Sequence, residues 1–338
     1  MGYIIAVLKI VSMLAIVMVI SGFLKETGAL GSVYAWLRPK VKSNRALIAI
    51  LSVLFGVIPV PGRICVTCSL LDGLQDKTRN NQKMGIVAHL SSHHYYLWSP
   101  MEKAVIIVCG ILGISYGEFM SYMGIPALIM ILFSIVYIFT FVGENELALI
   151  DVGKLGKEPK GDKGIYWVGA LAFVIVASCF APDYTWFMLG TYALCAATAM
   201  RDKVSLSWFS YETLALASVA VVLGTFFTSY QKEAMEVLAP FISGHNIAGI
   251  VAISFLLAFI MGSSAKYAAI CGAIVTVVGI KYLPLFYLVE FAGYLVSPSH
   301  DCVAIAKTYF KTATGMFFQP LITLSVILIL YGALVSIL

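Results

Sequence analysis

Two apolar stretches of the chain, 84–114 and 284–315, are each interrupted by a short sequence that occurs twice. The first copy is Tyr96-Leu97-Trp98-Ser99-Pro100 and the second, 198 positions on, is Tyr294-Leu295-Val296-Ser297-Pro298. Proline has no N–H to give a helix, so each copy marks a break, and each break is followed by ionisable residues: Glu102 and Lys103, then His300 and Asp301. Lipid cannot satisfy the backbone groups that a broken helix frees, so the breaks must be buried in protein or line a water-filled cavity. Paired breaks in corresponding halves of a chain point to a transporter's binding site.

Composition agrees with the membrane setting. The 338 residues are 61% hydrophobic and only 12% charged, with a mean hydropathy of +0.95; a soluble domain carries about a quarter charged residues. The first apolar run, Tyr3 to Leu24, is long enough to span and is followed by no small-residue cleavage site, so a transmembrane helix is expected there. The net charge of +5 lies mainly in connecting segments, where membrane orientation accounts for it and no nucleic-acid partner is implied. Of the seven cysteines, nearly all fall inside apolar runs, which argues against a disulfide framework. Cys65-Val66-Thr67-Cys68 has redox spacing without a βαβ context, and no nucleophile-elbow pattern accompanies the Ser and His residues, so no enzyme is expected.

Sorting the apolar runs by length gives a layout. Residues 3–24, 125–142, 165–181 and 316–338 read as plain helices, 165–200 as a helical hairpin, and 208–230 as a further span. The run 46–74 is split by Pro59-Val60-Pro61-Gly62-Arg63 into halves too short to cross, and 247–280 is split near Gly262-Ser263-Ser264-Ala265-Lys266; both read as re-entrant hairpins. The expected fold is an all-α polytopic membrane protein with inverted-topology repeats. The first repeat is 1–142 (hairpin 46–74, broken helix 84–114), and 143–203 holds a cytoplasmic loop and the linking helical hairpin. The second repeat is 204–338 (hairpin 247–280, broken helix 284–315).

Lys and Arg cluster between Lys25 and Arg45, Lys77 and Lys83, Lys154 and Lys163, and around Asp202. If these segments are all cytoplasmic, the hairpin at 46–74 must return to the side it left, both termini lie outside, and the halves have opposite orientation. The halves also align. Arg63 and Lys266 are 203 positions apart, as are Cys68 and Cys271, and the order of hairpin tip, return helix and Ser-Pro break is kept.

Charged groups at membrane depth are costly and are functional candidates by default. Arg63 and Lys266 sit at hairpin tips just before a helix start, where free N–H groups and the helix dipole favour an anion. Thr67 and Ser69 on one tip, Ser263 and Ser264 on the other, and Ser99 and Ser297 at the breaks can donate to its oxygens. The same two cations can instead be interfacial, snorkelling residues. His93, His94, Glu102, His300 and Asp301 are candidates for handling a coupling ion or proton. Asp301 can equally cap the second half-helix, and the hydroxyls can equally satisfy backbone freed by the breaks. No spacing for a tetrahedral zinc site is present, and no cofactor is expected. Na⁺ stays open as coupling ion because unwound carbonyls beside a carboxylate suit it.

Pro59-Val60-Pro61-Gly62, followed by His89, and Ser297-Pro298-Ser299-His300-Asp301-Cys302, followed by Tyr309-Phe310, resemble motifs of the ion-transporter superfamily of citrate, dicarboxylate and arsenite permeases and sodium/proton antiporters. Within it the chain most resembles a prokaryotic membrane-protein family of unknown function. It departs from that family at Arg63, where a second glycine is common, and at Ser92, where an acidic residue is common. The resemblance implies a homodimer in the prokaryotic inner membrane whose transport domains move like elevators. The expected function is secondary active transport of a small anion or organic acid with H⁺ or Na⁺, the alternative being a cation/proton antiporter of the same architecture.

Overall fold

The computed structural model describes residues 2–27, 29–57, 64, 67–68, 71, 82–143, 163–200, a few positions between 205 and 222, and 247–338. Among them there are helices and no strands. In chain order these are α1 (Gly2–Glu26), α2 (Ala29–Leu37), α3 (Asn44–Val57), α4 (Lys83–Ser91), α5 (Lys103–Leu112), α6 (Tyr116–Phe141) and α7 (Lys163–Phe180). Then come α8 (Thr185–Ala199), α9 (Ile247–Met261), α10 (Ser264–Val278), α11 (Leu283–Leu295), α12 (Asp301–Tyr309) and α13 (Thr314–Ile337). The expected span 208–230, apart from a few positions up to 222, the loop 144–162 and the first hairpin tip at 59–63 lie outside the described residues.

Among the described residues three helices are long and apolar enough to cross a membrane: Val7–Leu24 within α1, α6 and α13. The 26 residues of α6 reach about 39 Å at 1.5 Å each, beyond a hydrocarbon core of about 30 Å. Its exposed positions Ile125, Leu128, Leu132, Val136 and Phe139 form one lipid-facing stripe, while Phe119, Met123, Ala127 and Met130 are buried. α6 starts at Tyr116, nine residues before the apolar run at 125 suggests. Ser115 accepts a hydrogen bond from the Glu118 N–H at 3.1 Å, and Glu118 supplies the negative charge that a first turn favours. A second departure is α2, a short helix inside the basic connecting segment, which buries Val33, Tyr34 and Leu37.

Both broken helices form as α4/α5 and α11/α12. α11 lies at the centre of its half. Every residue from Leu283 to Leu295 is buried, and the helix is surrounded by α9, α10 and α13. A helix that is apolar apart from Glu290 and two tyrosines suits that position. Two glycines permit the approach: a Cβ on Gly293 would meet the Phe255 carbonyl of α9, and one on Gly332 of α13 would meet the Pro284 carbonyl at 2.8 Å.

α9 and α10 form a helical hairpin with its turn at Gly262, whose φ of +55° lies in the left-handed region that glycine enters without strain. Each arm has 15 residues, about 22 Å of helix.

Candidate functional site

The site is built from the two breaks. After α4 the chain makes a 3₁₀ turn at His94–Leu97; the Ser99 N–H reaches back to the Tyr95 carbonyl at 2.8 Å, and Pro100 ends the run. Ser99 Oγ, buried, accepts from the Met101 N–H at 3.3 Å. Glu102, also buried, caps α5 by accepting from the Ala104 N–H at 3.3 Å. At the second break Ser297, Pro298 and Ser299 separate α11 from α12. Here the hydroxyls have a structural task. Ser297 Oγ donates to the Phe259 carbonyl, and Ser299 Oγ donates to the carbonyls of Ile260 at 2.8 Å and Phe259 at 3.2 Å. The C-terminal end of α9, which has no next turn to bond to, is thereby latched onto the break.

The breaks meet. Tyr96 and Tyr294, the first residues of the two repeated motifs, hydrogen-bond through their hydroxyls at 2.8 Å. Tyr287 Oη donates to the Tyr96 carbonyl at 2.7 Å, and the His89 ring reaches the Leu295 carbonyl through Nε2 at 3.1 Å. The aromatic contacts are reciprocal: Tyr96 lies 6.1 Å from Phe291, and Tyr294 lies 5.9 Å from His93.

Three histidines converge at this crossing. His89, His93 and His300 are buried, and each offers a ring nitrogen within 4.8 Å of the others. The Nε2 atoms of His93 and His300 stand 3.4 Å apart. A carbonyl oxygen can only accept, so carbonyl partners assign the tautomers. His93 Nδ1–H donates to the His89 carbonyl at 2.6 Å, leaving its Nε2 lone pair toward His300. His89 Nε2–H donates to Leu295, and its Nδ1 has no hydrogen-bond partner. The Tyr294 backbone adjoins the His300 ring, but His300 Nδ1 makes no hydrogen bond of normal geometry.

His94 is different. The Trp98 indole N–H donates to its Nδ1 at 2.9 Å, so its Nε2 carries the proton donated to the Ser52 carbonyl at 2.8 Å. This is a neutral ring with both nitrogens engaged, tying the first break to α3.

Of the other expected site residues, Thr67 and Ser264 are buried with hydroxyls that have no hydrogen-bond partner. Ser263 is half-buried at the start of α10, where its side chain makes no capping bond. Lys266 is exposed in the first turn of α10, and Asp301 is exposed at the first position of α12. Arg63 and Ser69 lie outside the described residues. The structure therefore brings His93 and His300 together with His89, directs His94 elsewhere, and adds Tyr96, Tyr287 and Tyr294. The two motif tyrosines carried a signal, because each opens a copy of the repeat. His89 is one helical turn from His93, so its place beside that ring was also readable; the arrival of His300 was not.

A family model described as citrate transporter matches residues 5–291. The chain belongs to the citrate transporter family. No curated protein matches it. Membership of this family, with three helices able to span a bilayer, makes the chain an integral membrane protein of an ion-transporter superfamily, and at family level a citrate or anion transporter. The match takes in the first break, His89, His93 and the α9–α10 turn, and it ends within α11, before Ser297 and His300.

Proposed function

We propose that this chain is a secondary active transporter of a small anion or organic acid, coupled to H⁺ or Na⁺ and working by elevator-type alternating access. The observation that carries the reading is the meeting of two broken helices at equivalent points, Tyr96 to Tyr294, with polar side chains buried around the junction. A break of this kind persists at membrane depth only where protein or a wet cavity satisfies it, and a pair of them supplies half-helix termini that bind ions. The reciprocal ring contacts across the 198-residue offset support an inverted repeat, and the short arms of α9 and α10 support a re-entrant hairpin.

In this reading the substrate lies between the hairpin tips and the breaks. Ser263, Ser264 and Lys266 at the start of α10, with Arg63, Thr67 and Ser69 on the opposite tip and Ser99 and Ser297 at the breaks, are its ligands. His93, His300, Glu102 and Asp301 serve the coupling ion. The protein works as a homodimer in the prokaryotic inner membrane with both termini outside. Lys266 is exposed, so an entering anion can reach it without displacing a packed side chain.

The test is uptake into proteoliposomes of labelled citrate and of other small carboxylates. Arg63→Ala and Lys266→Ala should each abolish uptake while the protein stays folded, and full residual transport in both would sink the shared anion site. A cation/proton antiporter is the second reading, favoured by Glu290, a fully buried carboxyl on α11 whose oxygens make no well-formed hydrogen bond. Sodium-dependent proton release without any organic anion would select it; anion exchange without a pH gradient would select the first.

A further inference from the structure

Away from the crossing, a cleft lies between the last turns of α6 and the first turns of α13, with Lys83 at the start of α4 on its rim. We propose that this cleft holds one anionic phospholipid, its phosphate at Lys83 and the upper part of one acyl chain between the two helices.

The shape of the cleft is the first observation. Phe133, Tyr137 and Phe141 recur every fourth residue along one face of α6, and Met316, Pro320 and Thr323 line up along α13; between them is a volume of about 360 Å³. That is too little for a whole lipid, but the cleft does not end there. At spacings of four and three residues, Met316, Pro320 and Thr323 continue into Ile327, Leu330 and Leu334, the exposed apolar face of α13. A chain that enters between the helices has this stripe to follow. The aromatic wall fits the depth, because Phe and Tyr rings suit the boundary between headgroups and hydrocarbon.

Charge is the second observation. Thr312 Oγ1 donates to the Gln82 carbonyl at 2.7 Å, and the Ala313 N–H donates to the Gln82 side-chain oxygen at 3.0 Å, so the loop before α13 is tied to the residue that precedes Lys83. Lys311, exposed, sits on that junction. Arg45 comes to the same end of α6, where its guanidinium donates to the Phe139 carbonyl at 3.4 Å. No acidic residue lines the cleft among the described residues. Basic residues above an apolar groove between spanning helices are the chemistry that holds an anionic lipid headgroup.

The third observation concerns the headgroup. Pro320 has no N–H to give the Met316 carbonyl one turn before it, and both residues line the cleft. A hydroxyl of a glycerol headgroup can supply the missing donor, and the Gln319 amide beside it can donate to a phosphate oxygen. A lipid of the phosphatidylglycerol class combines these features.

The experiment uses the full-length protein in phosphatidylcholine nanodiscs that contain a small share of phosphatidylglycerol with a photoactivatable diazirine on one acyl chain. After irradiation, peptide mass spectrometry locates the adducts. The proposal expects them in 133–141 and 316–334, competed by unlabelled phosphatidylglycerol and not by added phosphatidylcholine. Lys83→Gln with Lys311→Gln should lower labelling about 25-fold, roughly fivefold for each charge. Lys311→Gln alone, at an exposed position, should lower it about fivefold and keeps the test available if the double variant misfolds. Thr323→Trp, which fills the cleft from an exposed position and leaves both lysines in place, should also lower it. Adducts spread evenly over the exposed faces of the helices, equal competition by phosphatidylcholine, or unchanged labelling in a folded double variant would overturn the proposal. So would displacement by soluble glycerol phosphate, which carries the headgroup charge without a chain. No readout involves uptake, so failure here leaves the transport reading standing, and the reverse holds.

Discussion

Replacing Gly262 by alanine tests how the α9–α10 tip is attached to the second break. The new methyl group meets two obstacles. At φ +55° an L-residue enters the left-handed region, which costs about 1–2 kcal/mol. The Cβ would also lie 2.7 Å from Ser299 Oγ and 2.8 Å from the Ser299 carbonyl carbon and oxygen, an overlap of the kind that costs about 1–3 kcal/mol. Together they oppose docking by roughly 2–5 kcal/mol. The latch consists of two hydroxyl donors, Ser297 to Phe259 and Ser299 to Ile260 with a longer shared contact to Phe259, each contributing about 0.5–1.5 kcal/mol net.

The two totals are of similar size, so the tip should come away from the break while the helices persist. α9 stays in place because it is also seated on α11, where Gly293 meets the Phe255 carbonyl about two turns from the tip. Hydrogen exchange read by mass spectrometry should show faster exchange in peptides covering 258–266 and 296–302, with α13 unchanged. Adding Ser299→Ala should not restore protection, because the Ser299 backbone remains in the way. Unchanged exchange in both peptides, or full rescue by Ser299→Ala, would refute the reasoning. Gly124→Ala is the control: on α6 with nothing within 4 Å, it should be neutral or stabilise by up to about 1 kcal/mol.

Two further outcomes follow from the hydrogen bonds at the first break. His94→Phe keeps a ring but strands the Trp98 N–H and the Ser52 carbonyl, and should lower stability by about 2–4 kcal/mol in thermal unfolding with a shifted Trp fluorescence; an unaltered midpoint would mean His94 is not structural. Tyr96→Phe and Tyr294→Phe remove the same bond, so the double variant should lose about 1 kcal/mol less than the sum of the singles, and strict additivity would count against that contact.

The breaks were legible because their cause is local. Proline and clustered polar residues stop a helix whatever surrounds it, and the stretches 84–114 and 284–315 become α4/α5 and α11/α12 within a few residues. The hairpin at 247–280 was legible for the same reason, through Gly262. The start of α6 was missed although Ser115 and Glu118 spell a capping box, because the apolar run suggested residue 125, next to Pro126, as its beginning; Pro126 instead lies inside the helix. Bundle neighbours let a spanning helix tolerate such a proline. The partner that the Ser297 hydroxyl takes, the Phe259 carbonyl, was not legible, because it is in reach only once α9 has docked. The triad joins residues 207 positions apart, and no local pattern announces that.

The 198-residue offset that relates the two motifs also separates what is shared from what is particular. Tyr96 pairs with its own equivalent, Tyr294; Tyr96 with Phe291 is matched by Tyr294 with His93. Tyr287 and His89 are equivalent positions, and each reaches across to a backbone carbonyl of the opposite break, Tyr96 and Leu295. These shared contacts build the crossing. The residues that fill it are not shared: the counterparts of His89, His93 and His300 are Tyr287, Phe291 and Glu102. Because the tyrosine contacts recur across the offset and the histidines do not, substituting the histidine side should alter the chemistry of the crossing, whereas substituting the shared tyrosines should alter the assembly of both breaks. Exchanging His93 for phenylalanine, the residue its equivalent already carries, should therefore preserve the fold and remove the imidazole. A His93→Phe protein that unfolds would show that the crossing depends on the imidazole and that the offset does not divide structure from chemistry in this way.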